Sequence, residues 1–105
     1  MKSADHRDAP SAQLRPLAEE DLITIWLYSY ERWGELQADL YLEKLKHTFA
    51  RLAETPQLAR ERAEFIPPVR IHPCEQHLIV YLAIDNGVDI IRVLHQSMDV
   101  DSRLD

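Results

Sequence analysis

The feature that most constrains this chain is a turn: Asn86-Gly87, set between Asp85 and Val88, divides two apolar, β-branched runs at 77–84 and 88–95. An Asn-Gly pair in that setting is the strongest short hairpin signal, since both central residues of a type I′ turn need positive φ. The first run, His-Leu-Ile-Val-Tyr-Leu-Ala-Ile, is too continuously apolar for a surface helix and reads as a strand. Upstream, Val69 and Ile71 alternate with Arg70 and His72 and add a third strand. Three strands joined by hairpins make an antiparallel sheet, and the rest of the chain has to cover it.

The first half provides helices. Pro16 suits a first helical position, Glu19, Glu20 and Asp21 favour the positive end of a helix dipole, and Leu22, Ile25, Trp26, Ser29, Tyr30 and Trp33 form one stripe. Gly34 ends this helix, because glycine tolerates the left-handed geometry of a C-cap, and the pattern resumes at once, which predicts a tight helical hairpin. Ala38, Leu42, Leu45, Phe49 and Leu52 follow at spacings of four and three. Thr55-Pro56 stops the second helix, since the residue before a proline is driven out of helical geometry. Aromatic residues at helical spacing are expected in the core, so Trp26, Tyr30 and Trp33 are assigned to packing, whereas Tyr28 and Tyr41, off the main stripes, are assigned to exposed contact.

A short edge strand is expected around Ala12 and Leu14, a mobile tail over 1–11, an exposed loop with a short turn of helix over 57–68, and a tail, extra turn or strap over 96–105. The predicted class is α+β: a two-helix hairpin packed on one face of a mainly antiparallel sheet, in the order β-α-α-β-β-β, as a single domain over 12–105.

At 105 residues one core is expected, with no room for a second cofactor-binding lobe, and no cofactor is expected. Twelve Lys and Arg against eighteen Asp and Glu leave a net charge of -6. The deficit is even, seven basic to ten acidic side chains over 1–54 and five to eight over 55–105. Such a balance disfavours direct capture of a nucleic-acid backbone and makes a protein the first expected partner. No stretch approaches the ~18 consecutive apolar residues of a membrane span. The N-terminus carries no secretory pattern and the lone Cys74 makes no internal disulfide, so the expected compartment is the cytoplasm, with no membrane partner.

Two clusters carry candidate chemistry. His72-x-Cys74-x-x-His77 contains zinc-type ligands, but three are one short of a structural site and no distant cysteine completes the set, so no metal is expected. Arg60 and Arg62 alternate with Glu61 and Glu64. The run reads either as a solvated, self-neutralising segment or, joined by Arg70, as guanidinium groups that reach a carboxylate-rich partner.

The order of elements, together with Ala18-Glu19-Glu20-Asp21-Leu22, Glu31-Arg32-Trp33-Gly34 and Gln37-Ala38-Asp39, resembles the ParE branch of the RelE/ParE toxin superfamily. The second half agrees through Leu52-Ala53-Glu54-Thr55-Pro56, Arg70, His77-Leu78-Ile79-Val80-Tyr81, and Arg92-Val93-Leu94-His95 followed by Met98-Asp99. The likeness covers roughly residues 12 to 104. This chain departs from it at Ala59, where the family often has glycine, and at Pro67-Pro68-Val69, where it has Pro-Gly before the arginine. The resemblance implies the toxin of a bacterial type II toxin-antitoxin pair, one that poisons DNA gyrase and is silenced by a ParD-like antitoxin, with which it forms oligomers.

The RelE branch of the same superfamily cuts messenger RNA on the ribosome, and Arg70, Tyr81, Arg92 and His95 are the candidates for that chemistry here. It needs a base, an acid and cations around one phosphate, yet Arg92 and His95, three apart on a strand, project to opposite faces unless a bulge intervenes. The reading taken is therefore docking without catalysis, with ribosome-dependent cleavage and a non-toxic interaction module as alternatives. The candidate partner-binding residues are Arg60, Arg62, Arg70, Tyr81, Arg92, His95, Met98 and Arg103. Because the last two lie beyond the final strand, deleting the segment after His95 is expected to weaken toxicity more than folding.

Overall fold

The structure is a computed structural model and describes residues 9–104. β1 (Ser11–Leu14) leads into α1 (Pro16–Trp33) and α2 (Glu35–Glu54), and a 3-10 turn (Pro56–Leu58) follows. The sheet is then built from β2 (Glu61–Arg62), β3 (Val69–Cys74), β4 (His77–Ile84) and β5 (Gly87–His95), before a last helical turn, α3 (Val100–Arg103). Its strand order is β1-β5-β4-β3-β2, with β1 parallel to β5 and the other pairs antiparallel. The class is the α+β arrangement expected, enlarged by the two-residue β2 and by α3. Most of the expected tail, residues 1–8, lies outside the described residues, and Ser11, assigned to that tail, already belongs to β1.

The hairpin sits one residue away from its expected place. Asp85-Asn86 form the loop, Ile84 pairs with Gly87, and Asn86 (φ 58) takes the left-handed conformation. Gly87 (φ 148) is the first residue of β5 and is needed for a different reason. A Cβ there would run into the carbonyl of Ser11, so glycine is what lets β1 lie alongside. Gly34 (φ 91) joins the helices alone: its N–H donates to the Tyr30 carbonyl and its own carbonyl accepts from Ala38.

The main core lies between the helices and the sheet, where Leu22 and Ile25 of α1 and Leu45, Phe49 and Leu52 of α2 meet Ile79, Tyr81, Val88 and Ile90. Burying a side chain of this size contributes about 1.5–3 kcal/mol. The aromatic stripe expected in this core is not there. The buried face of α1 runs through Ala18, Leu22, Ile25 and Ser29, and at 100° per residue Trp26, Tyr30 and Trp33 fall on its flank. Trp26 stacks on Tyr30 and donates its Nε1–H to Asp39, while Trp33 is 59% exposed.

The sheet is apolar on its far side too. Val69, Val80 and Leu94 form a second cluster there, covered by Phe65 from the loop and by Val100 and Leu104 from the C-terminal segment. That segment is thus a strap across the sheet. Deleting it removes packing as well as Met98 and Arg103, so the deletion acts on folding and on any contact these two residues make. A bulge matters on the same strand: Val80 pairs with Arg92 and Tyr81 with Ile90, leaving Ile91 as the extra residue. Ile90 and Val93 therefore both join the helix-side core, while Ile91 packs on the far side.

Candidate functional site

β1 ends at Leu14 beside Ile90, whereas β5 continues to His95, so the last part of β5 has an edge without a neighbouring strand. A side chain closes it. Asp21 of α1 accepts from the Val93 N–H at 2.9 Å and from Arg92 Nε and Nη2 at 2.8 and 2.9 Å. This bidentate carboxylate raises the guanidinium pKa of Arg92 further. Nη1 of Arg92 donates to the Arg103 carbonyl at 3.1 Å, tying α3 to the same clamp.

Next to the clamp an open cleft of about 1140 Å³ lies among α1, α2, the β3–β4 turn, the end of β5 and the C-terminal segment. Tyr28, Trp33, Leu40 and Met98 line it and are 40–59% exposed. Arg32 lies over the rings of both Tyr28 and Trp33, 5.1 and 5.7 Å from their centroids, and adds a cation at the aromatic end. Contiguous exposed apolar side chains with a polar rim mark binding surfaces.

The cleft also holds a hydrogen-bonded chain. Tyr41 Oη accepts from the Gln76 N–H at 3.1 Å and stands 2.7 Å from His77 Nδ1. His77 and His95 are cross-strand partners whose rings meet edge to face at 5.4 Å. His95 Nδ1 accepts from the Ser97 N–H at 3.1 Å and lies 2.8 Å from Ser97 Oγ. Burial, with His95 beside it, lowers His77 to about 4 against a weaker opposing pull from Asp21. Burial pushes Tyr41 upward, so both groups are neutral at pH 7. Tyr41 is accordingly a partner of β4 and not the free contact residue expected from its position off the stripe.

Of the candidate residues, Arg92, His95, Met98 and Arg103 line the cleft. Tyr81 leaves the candidate set: it is fully buried, presents no surface to a partner or substrate, and donates its hydroxyl to the Pro56 carbonyl at 2.7 Å. Arg70, paired across the strands with Tyr81, donates to the Ala59 carbonyl at 2.6 Å. Arg62 pairs with Glu64 at 2.7 Å and lies over Phe65, and Arg60 is exposed; neither lines the cleft. The four candidates for RNA cleavage are thus divided between two places. Arg92 and His95 do leave β5 on opposite sides, and Arg92 reaches the cleft by turning round the strand edge to Asp21.

The histidine-cysteine cluster is dispersed by its neighbours. Cys74 is buried with its Sγ 3.2 Å from Thr48 Oγ1, His77 faces Tyr41, and burial and Arg51 lower the pKa of His72. Among the described residues no group of three His, Cys, Asp or Glu side chains is placed to hold a metal ion. Asp21, Trp33, Leu40 and His77 belong to the cleft and were outside the candidate set. The sequence hid Asp21 in an acidic run, Glu19-Glu20-Asp21, although it stands one residue before the buried Leu22.

A helical hairpin on one face of this sheet, with an open apolar cleft at its end, defines a small α+β domain of RelE/ParE-like fold. The family described as "ParE toxin of type II toxin-antitoxin system, parDE" matches residues 12–100, and the chain belongs to it. Toxin ParE1 of Mycobacterium tuberculosis is 40% identical over 92 residues, 87% of this chain and 94% of that protein. Toxin ParE1 of Caulobacter vibrioides is 37% identical over 87 residues, 83% of this chain and 90% of the relative. The structure of a chromosomal ParDE system from P. aeruginosa shares the fold, with a TM-score of 0.71 at 17% identity, over 84% of this chain and 97% of that one. Among the described residues no helix is long and apolar enough to cross a membrane.

Proposed function

We propose that this chain is a cytoplasmic toxin that inhibits DNA gyrase and thereby blocks replication, acting by docking and not by chemistry of its own. A ParD-like antitoxin silences it by laying an amphipathic helix in the cleft, and toxin and antitoxin assemble together. The observation that carries the reading is the open cleft itself, whose exposed Tyr28, Trp33, Leu40 and Met98 suit the apolar face of a helix. Docking is favoured over RNA cleavage because Arg92 is held by Asp21, Arg70 by the Ala59 carbonyl and Tyr81 by the Pro56 carbonyl, so the four candidate residues do not converge on one phosphate.

Purified protein is expected to reduce gyrase supercoiling and to accumulate cleaved DNA. Unimpaired supercoiling at concentrations that arrest growth rejects gyrase as the target. Message cut on translating ribosomes, and spared by a His95→Ala variant, rejects docking. Leu40→Glu places a charge on the apolar wall and is expected to weaken antitoxin binding about 30-fold or more. The folded state should be little affected, because Leu40 is 48% exposed in the free protein. Unchanged antitoxin affinity in this variant puts the antitoxin elsewhere.

A further inference from the structure

The hydrogen bonds around the two cleft histidines determine where their protons are. A backbone N–H only donates, so the bond from Ser97 N–H makes His95 Nδ1 an acceptor, and neutral His95 carries its proton on Nε2. The same logic runs through Tyr41. Its oxygen accepts from the Gln76 N–H, its one proton is then directed at His77 Nδ1, and neutral His77 also carries its proton on Nε2. Two adjacent imidazoles thus present Nε2–H donors, and both residues line the cleft. A metal ion does not suit this arrangement, since each remaining nitrogen already accepts a hydrogen bond and Nε2 has no lone pair to offer.

The surroundings leave room for an anion. On α1, Asp21 is held by Arg92 of β5. On the β3–β4 turn, Glu75 has Lys44 of α2 at 3.9 Å, and Cys74 is buried against Thr48. The other charged or titratable groups lining the cleft are Tyr28 of α1, Tyr41, Glu43 and His47 of α2 and Arg103 of the C-terminal segment. Fixed charges of the lining balance, three acidic against three basic, in a chain of net charge -6.

We infer that His77 and His95 form a two-donor site in the cleft that takes a carboxylate, the Asp or Glu side chain of the antitoxin segment seated there. The inference rests on the antitoxin occupying the cleft and names the chemistry that the cleft selects.

The test uses the purified toxin with its ParD-like antitoxin as the probe. In ¹⁵N NMR of the free toxin at pH 7.5, both imidazoles should be Nε2–H tautomers; an Nδ1–H tautomer at His95 overturns the inference. Glutamine places its amide nitrogen near the position of histidine Nε2, and asparagine near that of Nδ1. His95→Gln should therefore bind antitoxin within about twofold of wild type at pH 7.5, while His95→Asn and His95→Phe lose about tenfold or more. Equal affinities across the three variants overturn it. His77 is followed by its NMR signals alone, because replacing it would strand the Tyr41 hydroxyl. An antitoxin that does not bind wild-type toxin at all defeats the proposed function, whereas binding that is blind to His95 defeats only this site.

Discussion

Asp21→Ala is expected to lower the free energy of unfolding by about 3 kcal/mol, the scale of breaking a mostly buried, bidentate ion pair. The carboxylate accepts three hydrogen bonds, two from Arg92 and one from the Val93 N–H. Its side chain is only 15% exposed, so water replaces those bonds poorly. Removing Arg92 instead leaves the Asp21–Val93 bond in place, and Arg92→Ala should therefore be less destabilising than Asp21→Ala. Urea unfolding of the two single variants and the double variant measures the order and the coupling. A larger loss in Arg92→Ala than in Asp21→Ala would mean that the strand-edge bond contributes little.

Gly87→Ala should be as damaging, at about 2–4 kcal/mol, through a different cause. The new Cβ meets the Ser11 carbonyl, and φ of 148° is a conformation that L residues rarely adopt. Relief requires β1 to move away from β5, so the amides of Ser11 and Arg15, which donate to the carbonyls of Asn86 and Ile90, should lose protection from hydrogen exchange. Gly34→Ala is the control. It has positive φ but nothing within 4 Å of the added carbon, and should cost only about 1 kcal/mol. Equal losses at the two glycines would show that backbone strain and not the collision with β1 sets the effect.

The parts of this fold that were legible from sequence are those written in runs of neighbouring residues. Ala38, Leu45, Phe49 and Leu52 repeat with helical spacing and are buried, and the apolar run of β4 is a strand with both faces covered. The misreadings are cases where a distant element decides. Trp33 fits the helical stripe by spacing, yet the sheet lies under Leu22 and Ile25 and leaves it in the cleft. Asn86-Gly87 announced a hairpin, but Ser11, from the other end of the chain, determines what Gly87 is for. Tyr41 looked free because its partner, His77, is 36 residues away. Arg92 and His95 were singled out from sequence as candidates, while Asp21, which positions the first, sits 71 residues earlier on another element.

The place of β1 has a kinetic consequence. The first strand to leave the ribosome finds its neighbour in the last, and the Asn86 side chain reaches back 77 residues to the Ala9 carbonyl. Contacts of such long range are slow to form and cannot begin before both partners exist. Nascent chains shorter than β5 hold neither the seat for β1 nor one wall of the cleft. A chain cut short before Gly87 therefore keeps both helices but leaves β1 with no strand to pair with.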